Sequence, residues 1–187
     1  MKLIVGIGNP GKEYDHTRHN IGFDAIDTYC KKNSINNSKE KFNGIYYETI
    51  INNEKILLLK PLSYVNLSGI VVKKYMDYFK INIDDIFVIV DDLDQKIGSY
   101  KIKTNSSSGG HNGLKSIEQN LGTKDYKRLK IGISNDKKID TKNYVLGKFN
   151  NEERKIIDDI ILTSTNIIDD FVNLTFNHLM TKYNKKM

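Results

Sequence analysis

Apolar residues in this chain come in short runs that alternate between two spacings. Lys2 to Gly6 reads as a buried strand, and Ile21, Phe23, Ala25 and Ile26 then give one face of a helix from Asn20 to Lys32. Asn36 to Lys41 is polar throughout and reads as a connection. Ile45 to Ile51 and Lys55 to Lys60 read as a hairpin, because Asn52-Asn53 between them tolerates positive φ. Val71, Val72, Tyr75, Met76 and Phe79 have helical spacing and predict a helix over 66–79. After Asp84-Asp85, the continuous apolar run Ile86 to Val90 predicts a strand covered on both faces. A strand from Ser99 to Lys103, a loop over 104–113, a helix from Leu114 to Leu121 and a strand from Leu129 to Ser134 follow. Ile156, Ile160, Ile167 and Phe171 then predict a long amphipathic helix over 151–172. Strands interleaved with helices, plus one hairpin, imply α/β class: a single three-layer α/β/α domain over 1–187 with a mixed, mostly parallel sheet.

Polar clusters fall where these strands end, which is where α/β sheets gather their sites. They are Asn9 to Asn20, Tyr64 to Gly69, Asp91 to Asp94 and Ser106 to Gly113. The first contains Gly-Ile-Gly-Asn-Pro-Gly, a match to the dinucleotide signature G-x-G-x-x-G. That signature needs a helix opening inside the glycine run. Here Pro10 and the polar run Lys12 to Asn20 intervene, and the acidic residue at the expected distance, Asp27, lies inside the helix. No dinucleotide is therefore expected.

Read chemically, the loop offers the amide of Asn9, the ring of Tyr14 and the imidazole of His19, whose ordinary pKa is nearest working pH. Asp91 closes an apolar strand, where a carboxylate that orients a histidine would sit. Taken singly, His19 also reads as a structural helix-start residue, Asp91 as a turn aspartate, and Gly109 to Gly113 as a loop leading into a helix N-cap. No serine stands in G-x-S-x-G, and the lone Cys30 lies mid-helix, so no covalent nucleophile is evident and water is the expected attacker. The four histidines lack metal-ligand spacing, so no metal or other cofactor is expected.

A net charge of +6 favours an anionic partner, although no polybasic run dominates. No stretch is long and apolar enough for a membrane span and the N-terminus lacks the build of a secretion signal, so a cytoplasmic protein is expected.

The clusters together resemble the bacterial peptidyl-tRNA hydrolase family. The resemblance rests on Gly6 to Gly11 with Tyr14 and Thr17-Arg18-His19-Asn20, on Asn66 to Gly69, and on Asp91 to Asp94. It continues through Gly109 to Lys115, Arg128 to Ile133 and Tyr144 to Phe149. It implies a monomeric enzyme that hydrolyses the ester joining a peptide to the terminal ribose of tRNA, with peptidyl-tRNA as its partner. His19 would be the general base, Asp91 its orienting carboxylate, and Asn9 an amide placing the water or the substrate carbonyl. Asn66 and Asn112 would hold the peptide backbone and Tyr14 would lie beside the terminal nucleotide, with Tyr64 and His111 also at the substrate. Lys103 and Lys130 match a basic clamp on the tRNA 5′ phosphate. Three positions depart from the family: Lys130 stands for a usual arginine, Val65 for a usual methionine, and Gln95-Lys96 for a proline-containing turn. The sequence leaves two rivals, an RNA-binding scaffold of the same fold and a hydrolase for another acyl ester or amide.

Overall fold

Strands apolar on both faces must be roofed on both. In the computed structural model, which describes residues 1–184, that requirement produces a seven-stranded sheet between two helical layers. The strands are β1 (Lys2–Gly6), β2 (Ser38–Lys41), β3 (Gly44–Ile51), β4 (Glu54–Pro61), β5 (Ile86–Asp92), β6 (Tyr100–Lys103) and β7 (Lys127–Gly132), in the spatial order β2-β3-β4-β1-β5-β7-β6. Pairing is parallel across β4, β1, β5 and β7 at the centre, and antiparallel where β2, β3 and β6 extend the two edges. Residues 185–187 of the single domain read from the sequence lie outside the described residues.

The helices are α1 (Ile21–Lys32), α2 (Ser68–Phe79), α3 (Asn112–Leu121), α4 (Thr141–Val145), α5 (Asn151–Asn173) and α6 (Phe176–Tyr183). One core lies between the sheet and α1, α5 and α6, around Ile4, Ile26, Phe87, Ile89 and Ile168. The other lies under α2 and α3, around Val5, Val72, Tyr75, Val88 and Ile117. Among the described residues no helix is long and apolar enough to cross a membrane.

Three elements were not expected. The polar segment 36–41 contains the edge strand β2, paired to β3 although its side chains are mostly exposed, and its lysines suit an edge that must not recruit another strand. Helices α4 and α6 are only five and eight residues long, too short for a periodic apolar signal. The other edge strand, β6, is covered by a side chain: Asn184 accepts from Ile102 N at 2.8 Å and donates to Ile102 O at 2.7 Å, imitating a strand partner.

Two glycines of the run are explained by packing, since a Cβ on Gly6 would strike the Gly22 carbonyl and one on Gly8 would sit 2.7 Å from the Phe23 ring. Helix α1 begins at Ile21, ten residues after the run closes at Gly11, so the dinucleotide geometry is not formed. Gly22 instead brings α1 directly against the end of β1, and a Cβ on Gly22 would sit 2.3 Å from Ile7 N and 2.5 Å from Ile89 O. Both neighbours are backbone and cannot move aside. Gly22→Ala is therefore expected to lower stability by about 1–3 kcal/mol, read as a fall in the denaturant midpoint, and an unchanged midpoint would refute this packing account.

Candidate active site

The loop between β1 and α1, the segment Tyr64–Asn66 after β4, the end of β5 and the loop before α3 converge on one cleft of about 660 Å³. Its lining includes Asn9, Tyr14, His19, Tyr64, Asn66, Asp91, His111, Asn112 and Lys130, nine of the ten residues singled out from the sequence. Lys103 lies outside that lining, on edge strand β6 opposite Arg128.

Asp91 extends β5 by pairing with Ile131, so its position is set by the sheet, and only 2 % of it is exposed. His19 rides on a 3-10 turn (Arg18–Asn20) and turns Nδ1 toward both carboxylate oxygens, at 2.9 and 3.1 Å. Nδ1 thus donates to Asp91, and Nε2 has no protein partner among the described residues. His111 Nε2 lies 2.8 Å from Asp91 Oδ1, while its Nδ1 accepts from Gly113 N and Leu114 N at 3.0 and 3.3 Å. Accepting two amide protons requires a bare Nδ1, so the network assigns the His111 proton to Nε2. The ring is both the N-cap of α3 and a donor to Asp91. His111, expected at the substrate, lines the cleft but has both ring nitrogens engaged within the protein. Histidine is not among the usual capping residues, so the sequence carried no signal for this.

Burial by itself would lower the His19 pKa, but the Asp91 charge and hydrogen bond outweigh it and raise it above the ordinary value. Burial would likewise push the Asp91 carboxyl up, yet the two imidazoles and their hydrogen bonds hold it well below the usual carboxylate range. His19, Asp91 and His111 also bring ligand-type atoms within 4.8 Å of one another, a set that could hold a metal ion. A metal there would have to displace the hydrogen bonds that the carboxylate makes with both rings. Burial pushes the Cys30 thiol up to about 12, so it carries no nucleophilic thiolate at neutral pH.

Asn9 is buried and crosslinked. Its backbone N–H donates to Asn20 Oδ1 at 2.8 Å, its backbone carbonyl accepts from Asn20 Nδ2 at 2.9 Å, and its own Oδ1 accepts from Val65 N at 2.8 Å. Only Nδ2 is left to serve the cleft. The Asn66 and Asn112 side chains line the cleft from an exposed 3-10 turn and from the first position of α3. Tyr14 and Tyr64 meet edge to face across the rim, ring centroids 6.3 Å apart.

Basic residues gather on β6 and β7, and of them Lys130 lines the cleft. Lys130, 8 % exposed, stands on the cleft floor with Nζ 3.7 Å from Asp92. The Lys103 ammonium is held below its ordinary value, first by burial and then by the charges of Lys101 and Lys130. Arg128, fully buried without a carboxylate, donates to the carbonyls of Ser106 and Lys124 and so anchors the loop that carries His111. At Gln95-Lys96, where the resembled family usually has a proline-containing turn, Gln95 Nε2 donates to Asp92 at 2.7 Å and Asp92 accepts from Asp94 N. Sequence reasoning also missed the wall formed by Asp140, Thr141, Lys142, Val145 and Leu146, because α4 was not foreseen.

The arrangement matches known proteins from end to end. A family model described as peptidyl-tRNA hydrolase fits residues 3–187. The chain belongs to the peptidyl-tRNA hydrolase family. A peptidyl-tRNA hydrolase of Clostridium botulinum is 45% identical over 184 residues, covering 98% of this chain and 96% of that protein. One from Mycoplasma capricolum is 46% identical over 188 residues, covering 98% of this chain and all of the relative. The crystal structure of peptidyl-tRNA hydrolase from Acinetobacter baumannii superposes with a TM-score of 0.91 at 33% identity, covering 98% of this chain and 94% of that one. The α/β expectation and the family resemblance both stand.

The raised pKa of His19 has a signed consequence. Folding favours the protonated ring, so this contribution to stability is complete below the ordinary pKa of 6.5 and is lost as pH rises through the folded value. In an NMR titration, His19 is expected to titrate above 6.5, and Asp91→Asn to move it down; an unshifted His19 in that variant would remove Asp91 as the cause.

Proposed function

We propose that the protein hydrolyses peptidyl-tRNA, with His19 as general base and water as nucleophile. The observation that carries this is the His19–Asp91 pair at 2.9 Å, which leaves Nε2 without a protein partner on the wall of a cleft lined by amides. Water attacks the ester carbonyl and gives its proton to His19 Nε2; the imidazolium returns it to the departing ribose oxygen. Asp91 fixes the Nδ1–H tautomer and stabilises the imidazolium, and His111 holds Asp91 through a second hydrogen bond. Asn9 Nδ2 supplies a donor for the carbonyl oxygen as charge develops on it. Asn66 and Asn112 hydrogen-bond the peptide backbone, which accommodates many peptide sequences because backbone is common to all of them.

Lys103 and Lys130 support recognition of the nucleic acid by charge, and the neighbouring Lys101 strengthens the local positive potential. Tyr14 and Tyr64 offer aromatic surface to the terminal nucleotide and the first peptide residue.

Release of a labelled N-acetyl-aminoacyl group from tRNA tests the reading. Wild-type protein is expected to cleave the N-blocked ester and to spare unblocked aminoacyl-tRNA, while folded His19→Ala loses roughly 10²–10⁴-fold in turnover. Normal turnover by that variant would end the assignment of the base. Lys103→Ala with Lys130→Ala should weaken tRNA substrates more than RNA-free esters and reduce the slope of log affinity against log salt by roughly one to two. Equal losses on both substrates would rule out the clamp.

A further inference from the structure

The 3-10 turn that carries His19 presents three successive side chains to three different walls. His19 reaches Asp91 on the sheet and Asn20 crosslinks the backbone of Asn9. Arg18 points away from both, toward the segment that follows β7. Its backbone N–H donates to Gly147 O at 2.9 Å and its Nη1 donates to Tyr144 O at 3.0 Å. The guanidinium carbon stands 4.1 Å from the Tyr144 ring centroid and 5.5 Å from that of Phe149, and Nη2 lies 3.7 Å from Glu153. The fit is close: a Cβ on Gly147 would sit 2.6 Å from Nη1. Thr17, one residue earlier, bridges to Lys148.

What Arg18 grips is a wall of the cleft. Tyr144 and Val145 belong to α4, and Val145 and Leu146 line the cleft. The site also carries a cost that packing alone does not explain, because Arg18 Nε is buried without a hydrogen-bond partner. An apolar side chain between Tyr144 and Phe149 would avoid that unsatisfied donor. A guanidinium adds only the hydrogen bond to Tyr144 O, the ion pair with Glu153 and stacking on the rings, and the bond and the stacking are directional. A local rule broken beside a functional group marks a position held for geometry more than for stability.

We infer that Arg18 is a positioning residue that locks the orientation of His19 to the α4 wall, so that the base and the wall move as one body. The inference rests on His19 being the general base. Displacement of a reacting group by about 1 Å costs on the order of 10²-fold in rate, so a loosened turn should be visible in turnover.

Arg18→Ala and Arg18→Lys, with Ile168→Ala as a control that destabilises the opposite end of the same core, provide the test. The measurements are kcat and KM on N-acetyl-aminoacyl-tRNA and the His19 titration by NMR. In Arg18→Ala we expect kcat to fall roughly 10–100-fold with KM changed less than about threefold, and His19 to titrate lower as its bond to Asp91 loosens. Arg18→Lys should not recover, because a point charge neither forks nor stacks. Added ethylguanidinium should restore part of kcat in Arg18→Ala and none in Ile168→Ala. The inference is overturned if the His19 titration is unmoved, or if Ile168→Ala of matched melting temperature loses as much turnover. A wild-type protein without hydrolase activity would instead defeat the functional reading, and the His19 titration would still report whether Arg18 sets the ring.

Discussion

A carboxylate sealed into the tip of β5, within the parallel part of the sheet, sets the terms for everything around it. Burying a charge is strongly unfavourable unless it is paired and hydrogen-bonded, and Asp91 sits at the end of a strand with no exposed residue. Two neighbouring imidazoles, ring centroids 4.9 Å apart, meet that need together, and each must be held at a fixed angle. One is fixed by a capped helix and the other by a 3-10 turn tied to its neighbours. Both loops are therefore structured because the aspartate is buried. Truncating one partner would leave a buried charge half satisfied, which costs more than a lost hydrogen bond at the surface.

The sheet order also separates the chemistry of the cleft. The cations Lys101, Lys103, Lys130 and Arg128 all belong to β6 and β7 at one edge of the sheet, whereas α2 and the tyrosine pair stand toward the β4 side. Of these four cations only Lys130 lines the cleft, beside Asp92.

Much of this was legible in the sequence, for identifiable reasons. Strand β5 announces itself because Phe87 to Val90 is apolar on both faces, and its polar terminus Asp91-Asp92 then has to lie at the sheet edge where loops gather. The paired positive φ values of Asn52 and Asn53 follow from the tolerance of asparagine for that region. Strand β2 was illegible because an exposed edge strand needs no apolar alternation. Helix α4 was illegible because it is stabilised from a distance, by the Tyr144 hydroxyl on Ile133 O and by Arg18. The resemblance brought Lys130 to the site, but its low exposure beside Asp92 and the loop before α3 is set by distant contacts that no local pattern encodes. The double engagement of His111 depends on Asp91, twenty residues away in sequence, and no local pattern encodes it.

The amide of Asn9 cannot flip. Its oxygen is committed to Val65 N, so the nitrogen end faces the cleft permanently. At this one point the wall is thus polarised in one sense only: the amide can give a proton to a lone pair and cannot receive one. A carbonyl oxygen finds a counterpart there, whereas an ammonium group, with three protons to donate and no lone pair, meets another donor. A single backbone contact fifty-six residues away in sequence thereby fixes a hydrogen-bond donor at this point of the cleft.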